Sequence, residues 1–103
     1  MRCALFADPV FETHNAGLPH PERPERLAAI AAGLEDPSFA DLDRRTPPAA
    51  GPDLLALVHT PDHIAQISAA RPDEGFVSLD GDTAMSPGSW DAAVRAVGAA
   101  VAA

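Results

Sequence analysis

The sequence never closes its last helix. Trp90, Ala93, Val94, Val97 and Val101 recur at helical spacing and form one apolar stripe. Beyond Arg95 the chain reads Ala96-Val97-Gly98-Ala99-Ala100-Val101-Ala102-Ala103, without a charge or a capping residue. Helices ordinarily finish on basic residues and a Gly or Asn cap. A stripe that is still running predicts a buried helix that has been cut, or one that docks on structure these residues do not supply. Ser86-Pro87 is the expected start of that helix.

The rest of the apolar content reinforces this expectation. Hydrophobic residues make up 47% of 103, which excludes wholesale disorder and suits one small domain. The aromatic residues, however, are only Phe6, Phe11, Phe39, Phe76 and Trp90. Much of the remainder is alanine, which buries little area per residue. The chain is not expected to seal a core alone.

Charge and targeting signals exclude several classes of function. The formal net charge is -8, and the seven basic residues are all arginines. That balance opposes binding to nucleic acid, whose affinity comes from neutralised phosphates. It equally opposes anionic membrane surfaces, and is compatible with cationic partners such as polyamines or lysine-rich proteins. No apolar run is long enough to span a bilayer. The stretch Met1–Ala7 is too short for a secretory signal core, and the single Cys3 cannot form an internal disulfide. The expectation is a cytoplasmic protein, with Cys3 an inert thiol in a buried strand.

Proline and glycine divide the chain. Residues 1–7 read as a strand stopped by Asp8-Pro9. Residues 8–23 read as a long loop. Residues 24–35 read as a helix, with Pro24 in its first turn and Leu27, Ile30, Ala31 and Leu34 on one face. Asp36-Pro37 ends it. Residues 41–46 predict a short edge strand. Pro52 opens a second helix carrying Leu54, Leu55, Leu57 and Val58. Thr60-Pro61 caps and starts a third, with Ile64 and Ile67. Residues 71–87 read as a polar loop around Asp80-Gly81-Asp82-Thr83.

Side-chain spacing alone yields no complete catalytic set. His59 and His63 have the i, i+4 spacing of a helical zinc site, but Thr60 stands where a general-base Glu would follow His59. Pro61 also puts His59 ahead of the helix, so the two rings need not share a face. His14 and His20 flank a turn with no cysteine or placed carboxylate to complete a metal set. Asp80 and Asp82 open like a calcium loop, but Ala84 and Pro87 follow where ligands are needed. Each of these reads more simply as loop, cap or helix-start chemistry. No nucleophile-elbow, P-loop or dinucleotide fingerprint occurs.

Three segments in order carry a resemblance. His20-Pro21-Glu22-Arg23-Pro24-Glu25-Arg26-Leu27 resembles the first loop and helix of the histone deacetylase family, in its bacterial branch with the acetylpolyamine amidohydrolases. Leu57-Val58-His59-Thr60-Pro61-Asp62-His63-Ile64 resembles a second segment of that family. Asp80-Gly81-Asp82-Thr83 through Ser86-Pro87-Gly88-Ser89-Trp90-Asp91-Ala92-Ala93 resembles a third. Together they extend over essentially the whole chain.

The resemblance implies an α/β architecture, the arginase/deacetylase fold, with a parallel sheet flanked by helices. It implies zinc-dependent hydrolysis of acetyl-lysine-like or acetylpolyamine amides. The family's zinc ligands and tandem catalytic histidines fall beyond the third segment, so residues 1–103 correspond to the N-terminal third of one domain. No catalytic residue and no metal ligand are then expected in this chain, and it is expected to be inactive alone. His20 and Pro21 match the pocket rim. Asp82, with Asp80 second, matches the rim position that holds a substrate backbone. Arg26 matches an arginine near the internal channel, with an ion pair to Glu22 as the plainer role. His59 and His63 are taken as structural. Expected partners are an acylated amine and the missing C-terminal portion. The rival expectation is a stand-alone, non-catalytic binding or assembly module derived from the same fold.

Overall fold

The computed structural model describes residues 2–17 and 19–103. Strand β1 (Ala4–Phe6) leads into a short 3-10 helix at Pro9–Thr13, and helix α1 (Pro24–Gly33) follows. The chain then makes a second 3-10 turn at Pro37–Phe39 and enters strand β2 (Asp43–Arg45). Strands β1 and β2 run parallel, in register Ala4↔Asp43, Leu5↔Arg44 and Phe6↔Arg45. A parallel pair needs a crossover, and α1 supplies it, making a βαβ unit. This is the parallel sheet with flanking helix that the fold class requires.

Local chemistry sets the element ends. The Asp8 side chain accepts the Val10 N–H at 2.8 Å and starts the 3-10 helix, and Asp36 caps Pro37–Phe39 in the same way. Helix α2 (Pro52–Leu55) is a single turn. The Thr60 hydroxyl accepts the His63 N–H at 3.2 Å and caps helix α3 (Pro61–Ala69). The second helix expected from Pro52 through Val58 therefore stops early. Pro61 disfavours helical backbone at the residue before it, so the chain must open before α3. Leu57 and Val58 are left 76% and 81% exposed.

The long loop expected over 71–87 holds a small antiparallel hairpin. Strands β3 (Val77–Ser78) and β4 (Ala84–Met85) pair with Val77 opposite Met85 and Ser78 opposite Ala84. Helix α4 (Ser89–Ala102) begins three residues later than Ser86, because Ser86 is used to brace the turn before it.

The core is small and centres on α4. Ala50, Met85 and Ala92 are buried, with Pro47 fully enclosed beside them. The segment around 47–50 lies directly against α4. Ala50 N–H donates to Val94 O at 2.9 Å, and the Arg95 guanidinium donates to Pro47 O at 2.8 Å. Gly98 makes this approach possible, since a Cβ there would sit 1.7 Å from Pro48 O. Cys3 is exposed, not buried as the sequence suggested. Among the described residues its strand pairs only with β2.

The molecule stays open. Its accessible surface is 7082 Å², whereas a closed chain of 10.7 kDa would expose about 5,500 Å². The radius of gyration is 15.2 Å, against about 13 Å for a compact chain of this length. Phe76 and Val101 are more than half exposed. Among the described residues, no helix is long and apolar enough to cross a membrane.

Candidate functional site

Helices α1, α3 and α4 and the hairpin surround a cleft of about 570 Å³. Leu27, Ile64, Ile67, Trp90 and Val97 supply its apolar wall, while His14, Glu22 and Arg26 supply polar groups. Arg26 stands on the wall of this cleft and is itself exposed. Its alternative partner, Glu22, instead approaches His14, with Oε1 3.4 Å from Nε2.

At the edge of the cleft the first loop meets the hairpin. His20 Nε2 lies 3.4 Å from Asp82 Oδ1, although 62 positions separate the two residues in sequence. The rest of the His20 ring is also held. Glu22 N–H donates to its Nδ1 at 3.0 Å. A backbone N–H can only donate, so Nδ1 is the acceptor and, in the neutral ring, the proton sits on Nε2, the nitrogen nearer Asp82. Pro21 lies between these two anchoring residues and is exposed.

Asp80 and Asp82 do different work. The Asp80 carboxylate accepts the Asp82 N–H at 2.8 Å and bends the β3–β4 connection. Backbone bonding from Asp82 and side-chain bonding from Thr83 hold the Asp80 carboxyl below its ordinary pKa. The Asp82 side chain is 96% exposed and points away from the turn toward His20. The structure thus joins His20 and Asp82 at one place and leaves Asp80 shaping the loop beneath them.

A second polar cluster braces this rim. His14 Nδ1 is 2.7 Å from the hydroxyl of Ser89, at the start of α4. The Ser89 hydroxyl accepts Ser86 N–H at 2.8 Å. The Ser86 hydroxyl donates to Thr13 O at 2.8 Å and accepts Asn15 N–H at 3.0 Å. Both serines are buried, and among the described residues no buried side-chain N or O atom lacks a partner. Sequence reading treated His14 as a surface-loop residue and took Ser86 only as a helix start, with no role for Ser89. The one available signal was the three-residue spacing of Ser86 and Ser89 around Pro87-Gly88, a helix-start pattern. Gly88 permits the contact, because a Cβ there would fall 2.1 Å from Thr13 Oγ1.

His59 and His63 do come together, with ring centroids 5.0 Å apart. Among the described residues, however, no group of three His, Cys, Asp or Glu side chains converges to hold a metal. The donors present do not fit a zinc site, and no step through a metal is assigned to them.

The comparisons with known proteins follow this geometry closely. Residues 20–103 match the model of the histone deacetylase domain, from His20 onward. The chain belongs to the histone deacetylase family. A solved structure described as the HDA15 HD domain superposes with a TM-score of 0.83 at 26% identity. The match covers 94% of this chain and 29% of that one, so the chain spans under a third of the matched structure. No curated protein matches. The family match agrees with the βαβ unit.

Proposed function

We propose that these residues form the rim-bearing N-terminal part of a zinc-dependent deacylase acting on acetyl-lysine-like or acetylpolyamine amides. The observation that carries this reading is the meeting of His20 with Asp82 beside a cleft lined by Arg26. Asp82 presents an exposed carboxylate, which accepts a substrate N–H or attracts an ammonium group. His20 and Pro21 shape the approach to it. Asp80 contributes by fixing the turn. Arg26 belongs to the interior channel behind the pocket.

The zinc is held by residues outside these 103 and supplies polarisation of the amide carbonyl when bound. This chain's own residues bind and orient the acylated amine, and by themselves they catalyse nothing. The lone cysteine, which cannot form an internal disulfide, suits a reducing, cytoplasmic setting.

Acetate release from an acetyl-lysine peptide and from an acetylpolyamine tests the reading. The native gene product is expected to hydrolyse one of them, to lose activity with a chelator and to regain it with zinc. The 103-residue chain is expected to hydrolyse neither. Zinc-dependent turnover by the short chain, or none by the native product, overturns the proposal.

A second reading is a non-catalytic module that assembles with a separate chain carrying the remaining layers. The exposed Leu57, Val58 and Val101 favour a partner surface of some kind. Copurification of an unlinked second chain with the native product would select this reading.

A further inference from the structure

We infer that His20 is a positioning residue for Asp82, acting through one ring tautomer set by the backbone of its own loop. This rests on the proposed role of Asp82 at the substrate rim. Three observations carry it. Glu22 N–H donates to His20 Nδ1 at 3.0 Å, which leaves the proton on Nε2. Nε2 stands 3.4 Å from Asp82 Oδ1. Asp82 is 96% exposed, so its own surroundings impose little restriction on its side-chain torsions.

An exposed carboxylate that samples several rotamers loses conformational freedom when it binds a ligand. His20 removes part of that freedom beforehand, because its side chain is only 24% exposed and is tethered at Nδ1. The ring contributes a donor without requiring a positive charge. It therefore orients Asp82 while leaving the carboxylate negative for an amine or an amide N–H. Catalytic and binding contacts are commonly long before ligand arrives and tighten in the complex, so a 3.4 Å approach suits this role.

The hairpin supplies the matching restraint from below. Asp80 holds the Asp82 N–H, while Leu79 N–H and Asp80 N–H both donate to Thr83 O. The Asp82 backbone is thus fixed by its turn, and the orientation of its side chain is set across the loop gap. The consequence is a link between the first loop and the hairpin: substrate affinity depends on a histidine 62 positions away from the carboxylate that makes the contact.

The test uses the native gene product and an acetylpolyamine substrate. Asp82→Asn is expected to raise KM about ten-fold, the loss of a charge-assisted contact. His20→Phe is expected to raise KM about three-fold with little change in kcat, the scale of an exposed charged contact. In the Asp82→Asn background His20→Phe should add nothing. His20→Gln keeps an acceptor and a donor and should recover part of the lost affinity. Nitrogen-15 NMR of labelled histidine should show His20 protonated at Nε2, with a shift that responds to Asp82→Asn. If Asp82→Asn leaves KM unchanged, the substrate role of Asp82 fails and this inference falls with it. If Asp82→Asn raises KM while His20→Phe does not, or if the two effects simply add, only the positioning role is overturned.

Discussion

Single side chains join the loops of this molecule, and their loss should be measurable. Ser89→Ala strips His14 Nδ1 and Ser86 N–H of a shared partner in a buried setting. It should cost about 1–3 kcal/mol in denaturant unfolding of the native product. An unchanged midpoint would show that the cluster is not a brace. Acid should act on the hairpin turn through Asp80. Its folded pKa lies below the ordinary value, so its contribution is complete above about pH 4 and is lost as pH falls through the folded value. Amide exchange at Asp82, corrected for intrinsic rate, should accelerate below that range, and Asp80→Ala should abolish the dependence. At this scale the sequence was partly legible. Asp82 and His20 stood in motifs, but their contact spans a loop gap that no local pattern encodes. His14 was opaque for the same reason, since both serines that engage its loop lie more than 70 positions away.

The elements follow the sequence where the signals are local. Pro24 and Thr60-Pro61 started helices as their chemistry dictates, and Asp36 stopped α1 and capped the next turn. The failures share one cause. The helix expected through Val58 ended at Leu55, and the expected loop over 71–87 folded into a two-residue-per-strand hairpin. Both outcomes depend on neighbouring elements and on a proline downstream, and hydrophobic spacing reports neither. Helix α4 depends on close approach as well as on its stripe. Gly98→Ala would push a methyl into Pro48 O and should cost about 1–3 kcal/mol in thermal or denaturant unfolding. Stability equal to wild type would mean that the 47–50 segment moves freely away from α4.

The whole molecule is open in a way the composition foretold: few aromatics, much alanine, and an apolar stripe with no cap. The accessible surface exceeds that of a closed chain of this mass by about 1,600 Å². The 103-residue chain alone should therefore unfold without a sharp transition and bind a hydrophobic dye. A cooperative transition with no dye binding would favour the assembly-module reading. The fold family was legible because three motifs occur in order, and the match from His20 to Ala103 agrees with them. The candidate site was legible only as motif positions, not as a contact between them. The central claim is that these residues are one part of a longer deacylase domain whose metal centre lies elsewhere in it. The intact mass of the native gene product tests this most directly. A mass about three times 10.7 kDa is predicted, in line with the 29% share of the matched structure. A mass of 10.7 kDa would contradict it.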